Sequence, residues 1–185
     1  LFPQATGGLT VGINAQRSLT AKIATKGLAS LTEDEKSLIP RHFELGSDLY
    51  KERFKEIMGG HVNEEQLVNY FAAQSVWDDT MATMALEYLR FNPKRVLVII
   101  VGDFHNAYKL GLPNRLKARG VKKLITISQD DITDLDNKEA TDVVAPHAVY
   151  GVRGDYVWTS VAPKTEEGSG KIDPSSFGVL GFAFH

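Results

Sequence analysis

Apolar positions along this chain fall into two rhythms. From 63 to 91 they recur every three or four residues, and positions 67, 71, 74, 78, 81 and 85 share one helical face. That helix is predicted to start at Asn63, with Gln66 as its reciprocal capping partner, and to end near Phe91 because Pro93 follows. Gln74 and Asp78 interrupt the otherwise apolar face. Shorter helices are expected from Ser18 through Ile23 with a stop at Gly27, from Thr32 (capping box with Glu35) to Pro40, and from Ser47 to Gly59-Gly60.

The second rhythm is strand-like. Residues 9–13 alternate apolar and small side chains, and residues 96–101 read Val-Leu-Val-Ile-Ile-Val. An unbroken β-branched run predicts a strand buried on both faces, parallel and central. A loop over 102–113, a short helix ending at Gly120 and a strand over 123–128 then complete a β-α-β unit. Asp130, Asp131, Asp134 and Asp136 follow as a solvated acidic turn, without the glycine and terminal glutamate of a calcium-binding loop. Residues 156–158 predict a further strand, and the apolar run over 179–184 is expected to pair with it as a hairpin. The fold class is therefore α/β, a parallel sheet flanked by helices, with a C-terminal β-hairpin-like extension over residues 130–185 of one domain spanning 1–185.

Composition narrows the chemistry. A formal net charge of −2 provides no basic excess for a phosphate backbone, so nucleic acid is not an expected partner. With no cysteine, disulfides, thiolate zinc sites and cysteine nucleophiles are excluded, and any metal must be held by His, carboxylate, Tyr or backbone. No apolar run approaches the ~20 residues of a membrane-spanning helix.

Gly102-Asp103-Phe104-His105 follows the strand of 96–101, where ligands of open α/β sheets bind. His105 suits metal binding, proton transfer or a structural hydrogen bond. Tyr108 adds a phenol in the same loop, a possible oxygen ligand to iron. On the long helix, a buried Asp78 needs a cation, metal or donor to meet it, whereas Asp79 points elsewhere. Asn14 and Arg17 form a third candidate pair at the end of the first strand. His42, His61, His147 and His185 show no paired metal spacing.

The run from Phe71 to Ala82 (FAAQSVWDDTMA), followed by Val98 to Val101, Gly102-Asp103-Phe104-His105 and Gly111-Leu112-Pro113, resembles the ChaN-like haem-binding, iron-regulated lipoprotein family of the EreA/ChaN-like fold. Residues 11–17 and 27–40 agree, so the resemblance covers about 7 to 128. It implies a haem-binding or iron-binding protein of the bacterial cell envelope, without turnover, in haem or iron uptake. His105, Tyr108 and Asp78 would be the haem or metal residues, with Gln74, Trp77, Gly102, Phe104, Asn14 and Arg17 around them. One arrangement associated with the family is a dimer enclosing two stacked haems with tyrosine ligation.

The wider Tiki and TraB superfamily also implies an enzymatic alternative, a metal-dependent hydrolase in which His105 and Asp78 hold a divalent metal ion. The first acidic Gly-x-x-His signature of that superfamily has no counterpart here, which leaves half a metal site. A third reading is a non-catalytic interaction module whose exposed sheet edge binds another chain. Because the chain begins at Leu1 without that signature, the N-terminal part of the family domain is expected to be missing. Its partners are then a second copy or a separate N-terminal portion, with membrane contact only through a lost lipid anchor.

Overall fold

The computed structural model describes residues 5, 7–58 and 62–162. The expected stop at Gly59-Gly60 and the hairpin over 179–184 lie outside the described residues. The architecture is mixed α/β, with seven helices and a two-stranded parallel sheet among those residues. In chain order the elements are α1 (Arg17–Lys26), α2 (Glu33–Lys36), α3 (Asp48–Met58), α4 (Glu64–Phe91), α5 (Asp103–Asn106), α6 (Leu112–Ala118), β1 (Ile127–Asp131), α7 (Asn137–Val144) and β2 (Tyr156–Ser160).

The spine is α4, and its boundaries follow from local chemistry. Asn63 accepts from the Gln66 N–H while the Gln66 side chain accepts from the Asn63 N–H, and the helix ends at Phe91 before Pro93. The same reciprocal cap at Thr32 and Glu35 starts α2. The hydroxyl of Ser47 accepts from the Tyr50 N–H at the start of α3. The first helix begins at Arg17, so Ser18 lies inside it, and Gly27 closes it with φ 76.

Three apolar clusters line α4. Leu19 and Ile23 of α1 pack on Ala72, Ala73 and Val76. Tyr50 and Phe54 of α3 meet Leu67 and Phe71, with Phe104 against them. Leu112 and Leu116 of α6 pack with Met81, Ala82 and Ala85, joined by Ile13, Leu97, Ile99, Val101 and Leu124.

The expected strands depart from the sequence reading in three ways. Residues 9–13 and 96–101 join no ladder among the described residues, where β1 and β2 form the only sheet. The third strand begins at Ile127, not at 123, and runs to Asp131. It pairs in parallel with β2, Ile127 opposite Tyr156 and Gln129 opposite Trp158. Residues 96–101 are also not buried on both faces. Leu97, Ile99 and Val101 face α4 and α6, whereas Val96, Val98 and Ile100 are 86%, 72% and 93% exposed. The alternation is that of a strand with one face covered, because no described element lies over the other. The acidic stretch also differs: Asp136 and Glu139 form a capping box that starts α7.

Asp155 ties β2 to the chain before β1. Its carboxylate accepts from the Thr126 N–H at 2.8 Å and from the Thr126 hydroxyl at 2.9 Å, and it pairs with Lys109. Lys109 first, then the Thr126 amide, lowers its pKa to about 2. A depressed carboxylate contributes stability above its unfolded value of about 3.9, and that contribution is lost as pH falls towards the folded one. Asp155→Asn is therefore expected to flatten the acid limb of the stability curve between about pH 4 and about pH 2, as measured by chemical denaturation at stepped pH.

Candidate functional site

The two middle turns of α4 carry Gln74, Trp77 and Asp78 towards the turn that follows residue 101. Asp78 is fully buried, and both of its oxygens are engaged. Its Oδ1 lies 2.7 Å from His105 Nδ1, and its Oδ2 accepts from the Tyr50 hydroxyl at 2.8 Å. Gln74 Nε2 donates to the Tyr50 oxygen at 3.0 Å and sits 2.9 Å from His105 Nδ1. The sequence expectation that a buried Asp78 needs a donor is thus met twice, by an imidazole and a phenol.

These contacts set the tautomer of His105. Two groups compete for Nδ1, and the Asp78 carboxylate at 2.7 Å, charged and nearer, outweighs the Gln74 amide at 2.9 Å, so the ring proton is assigned to Nδ1 and Gln74 Nε2 keeps its hydrogen bond to Tyr50 alone. The Nε2 lone pair is then left free, and no hydrogen bond among the described residues engages it. His105 lines a cavity of about 370 Å³ together with Val11, Ile13, Asn14, Met81 and Val101. Trp77 meets the imidazole edge-on, with centroids 6.2 Å apart. On the other side of Gln74 and Trp77 lies a cleft of about 350 Å³ with Arg17 at its edge.

The turn bearing His105 is held from several directions. Phe104 stacks on Tyr50 at 5.1 Å, and Asn106 donates to the Ile127 carbonyl. Arg153 bridges Asp103 and Asp130 at 2.7 and 2.8 Å. Burial pushes the Asp130 carboxyl up, Arg153 opposes this, and Asp103 adds to it. Gly102 has φ −59, and a Cβ there would meet only His105 Cδ2 at an ordinary 3.9 Å, so the turn does not require glycine there. Gly111 is the position without room, since a Cβ would lie 2.7 Å from both the His105 carbonyl and the Tyr50 hydroxyl.

The nine expected site residues do not form a single cluster. Asp78, Gln74, Trp77, Phe104 and His105 come together, Gly102 and Asn14 line the cavity beside them, and Arg17 borders the adjacent cleft. Tyr108 stands apart. Its φ is 56, and its ring packs against His147 and Tyr150 with the Arg53 guanidinium 4.4 Å from its centroid. Glu56, accepting from the Tyr150 hydroxyl, is the main cause that raises that phenol to about 12. The residue that sequence reasoning missed is Tyr50, which carries no signal beyond its place on the apolar side of α3.

The sequence profile of the family described as haem-binding uptake, Tiki superfamily, ChaN matches residues 2–116. That is more than half of the 185 residues. The chain belongs to this family. No curated protein and no solved structure matches the chain. The ChaN match contains Asp78, His105 and Tyr50 but ends before β1, so Asp130 and Arg153, which brace the His105 turn, lie beyond it.

Proposed function

We propose that this chain binds haem through His105 Nε2 and takes part in haem or iron handling at the bacterial cell envelope without turning over a substrate. The observation that carries the reading is the donor set. Haem brings four nitrogens of its own and asks the protein for one or two axial ligands. A hydrolytic zinc asks for three protein ligands and an open position. Among the described residues there is no group of three His, Cys, Asp or Glu able to hold a metal ion, and Asp78 is already committed to Tyr50 and His105.

A single oriented imidazole fits haem better than a bare divalent ion. Val11, Ile13, Met81 and Val101 would hold its apolar surface, Asn14 supplies a polar group, and Asp78 acts through His105 by fixing its ring. Bound haem would supply the iron that the family's uptake role concerns. Titration of haem followed by absorbance tests this: a saturable Soret shift at one haem per chain supports it, and an unchanged spectrum at stoichiometric concentration rejects it.

The proposed partner is a second copy. Val96, Val98, Ile100, Ile125, Ile127 and Tyr156 leave apolar surface bare, a feature that marks association surfaces. Lys94, Arg95, Lys122 and Lys123 stand exposed at one end of these segments, and Asp131 and Asp134 at the other. A two-fold pairing with opposed directions would bring unlike charges together. Sedimentation is expected to show a concentration-dependent dimer that Val98→Lys shifts to monomer. A monomeric parent chain at every concentration would overturn the second-copy reading.

A further inference from the structure

Tyr50 meets the far oxygen of the carboxylate that faces the His105 ring. It is 1% exposed and carries the only phenol bonded to the Asp78 carboxylate among the described residues. Its ring is held by two aromatic neighbours: Phe104 stacks at 5.1 Å, and Phe71 meets it edge-on at 5.5 Å. A Cβ on Gly46 would fall 2.6 Å from the ring, and one on Gly111 would fall 2.7 Å from the hydroxyl. The chain has therefore kept both positions free of side chain where this phenol sits.

The hydroxyl has one proton, and it goes to Asp78 Oδ2, while the oxygen accepts from Gln74 Nε2. With Oδ2 held, the carboxylate plane is set and Oδ1 faces His105 Nδ1. Burial, with the neighbouring Asp78 charge, pushes the phenol well above its ordinary range, so Tyr50 stays a neutral donor at every working pH. A buried carboxylate with one oxygen unsatisfied would rotate or seek another partner.

We infer that Tyr50 is a positioning residue that, through Asp78, holds His105 in the Nδ1–H tautomer with its Nε2 lone pair free for a ligand. Among the described residues its hydroxyl bonds Asp78 and Gln74 and makes no hydrogen bond to the ring. Its effect passes through the carboxylate, and also through Phe104, which stacks on it one residue before His105. This deepens the haem reading and rests on it for the ligand, although the tautomer itself belongs to the haem-free chain.

The test is Tyr50→Phe, which removes one oxygen and keeps the ring. In haem-free protein at neutral to mildly alkaline pH, the ring nitrogen shifts of His105 read the tautomer directly. The parent chain is expected to show one Nδ1–H form, and the variant a mixture of both tautomers. Haem affinity is expected to fall by about 10-fold or more, in line with other residues that orient a ligand. An unchanged Nδ1–H form in Tyr50→Phe overturns the inference. If the parent chain binds no haem, the haem reading fails, and the tautomer comparison still decides the role of Tyr50. Should Tyr50→Phe not fold, 3-fluorotyrosine at position 50 replaces it as a shape-preserving, stronger donor: a shift at the His105 nitrogens supports the inference, and none overturns it.

Discussion

Haem added to His105→Ala is expected to keep the spectrum of free haem, with affinity lowered by more than ~100-fold, because even residues that only orient a ligand typically contribute about 10–100-fold. The prediction follows from counting imidazole lone pairs. His105 spends Nδ1 on Asp78 and keeps Nε2 free. His147, the other imidazole near a tyrosine, accepts from the Val149 and Tyr150 N–H groups through Nδ1, so its neutral ring carries the proton on Nε2. That leaves His147 unable to ligate without losing those bonds or a further proton. Tyr108→Phe is the informative companion. Its phenol sits in the cluster with Arg53 and Tyr150, so the variant is expected to keep the Soret shift. A normal shift in His105→Ala together with its loss in Tyr108→Phe would reverse the ligand assignment.

What the sequence made legible here was whatever local rules decide. The capping residues of α4, the six-position face from 67 to 85 and the need of Asp78 for a donor are all short-range statements, and the structure keeps each of them. The run over 96–101 was not legible in the same way, because an apolar strand reads alike whether one face is covered or both. Only the layer beyond it decides, and none of the described elements covers Val96, Val98 and Ile100. β1 begins at Ile127 because its ladder begins there, opposite Tyr156, and it continues to Asp131 past the Arg153–Asp130 pair, tertiary contacts that local propensity does not register. The capping box at Asp136 and Glu139 was visible in the sequence, but a reading of that stretch as charge alone passes over it. Tyr50 was hidden for a different reason: its hydroxyl meets a residue 28 positions away, and nothing in α3 distinguishes it from an ordinary core aromatic.

Asp79→Ala is expected to destabilise the chain by about 3–5 kcal/mol, the usual cost of removing one partner from a buried ion pair. The sequence reading sent this side chain elsewhere than Asp78. It does leave the His105 side, but it is equally buried, with no exposed surface. Its Oδ1 accepts from Arg115 Nη1 at 3.0 Å and also pairs with Arg119. Both arginines belong to the α6 region, so Asp79 fastens that helix to α4 just above the His105 turn. Arg115 is only 7% exposed, and without Asp79 its charge would remain buried with no carboxylate to meet it. Arg119 is more exposed and can turn to water. Asp79→Asn keeps an acceptor and the volume, so it is expected to cost less than alanine. Equilibrium denaturation of the three proteins measures both differences, and a loss under about 1 kcal/mol in Asp79→Ala would show that the Asp79 pair contributes little. The adjacent Asp78→Asn separates the two roles: it alters the His105 ring and haem affinity, whereas Asp79→Asn is expected to leave the His105 tautomer unchanged.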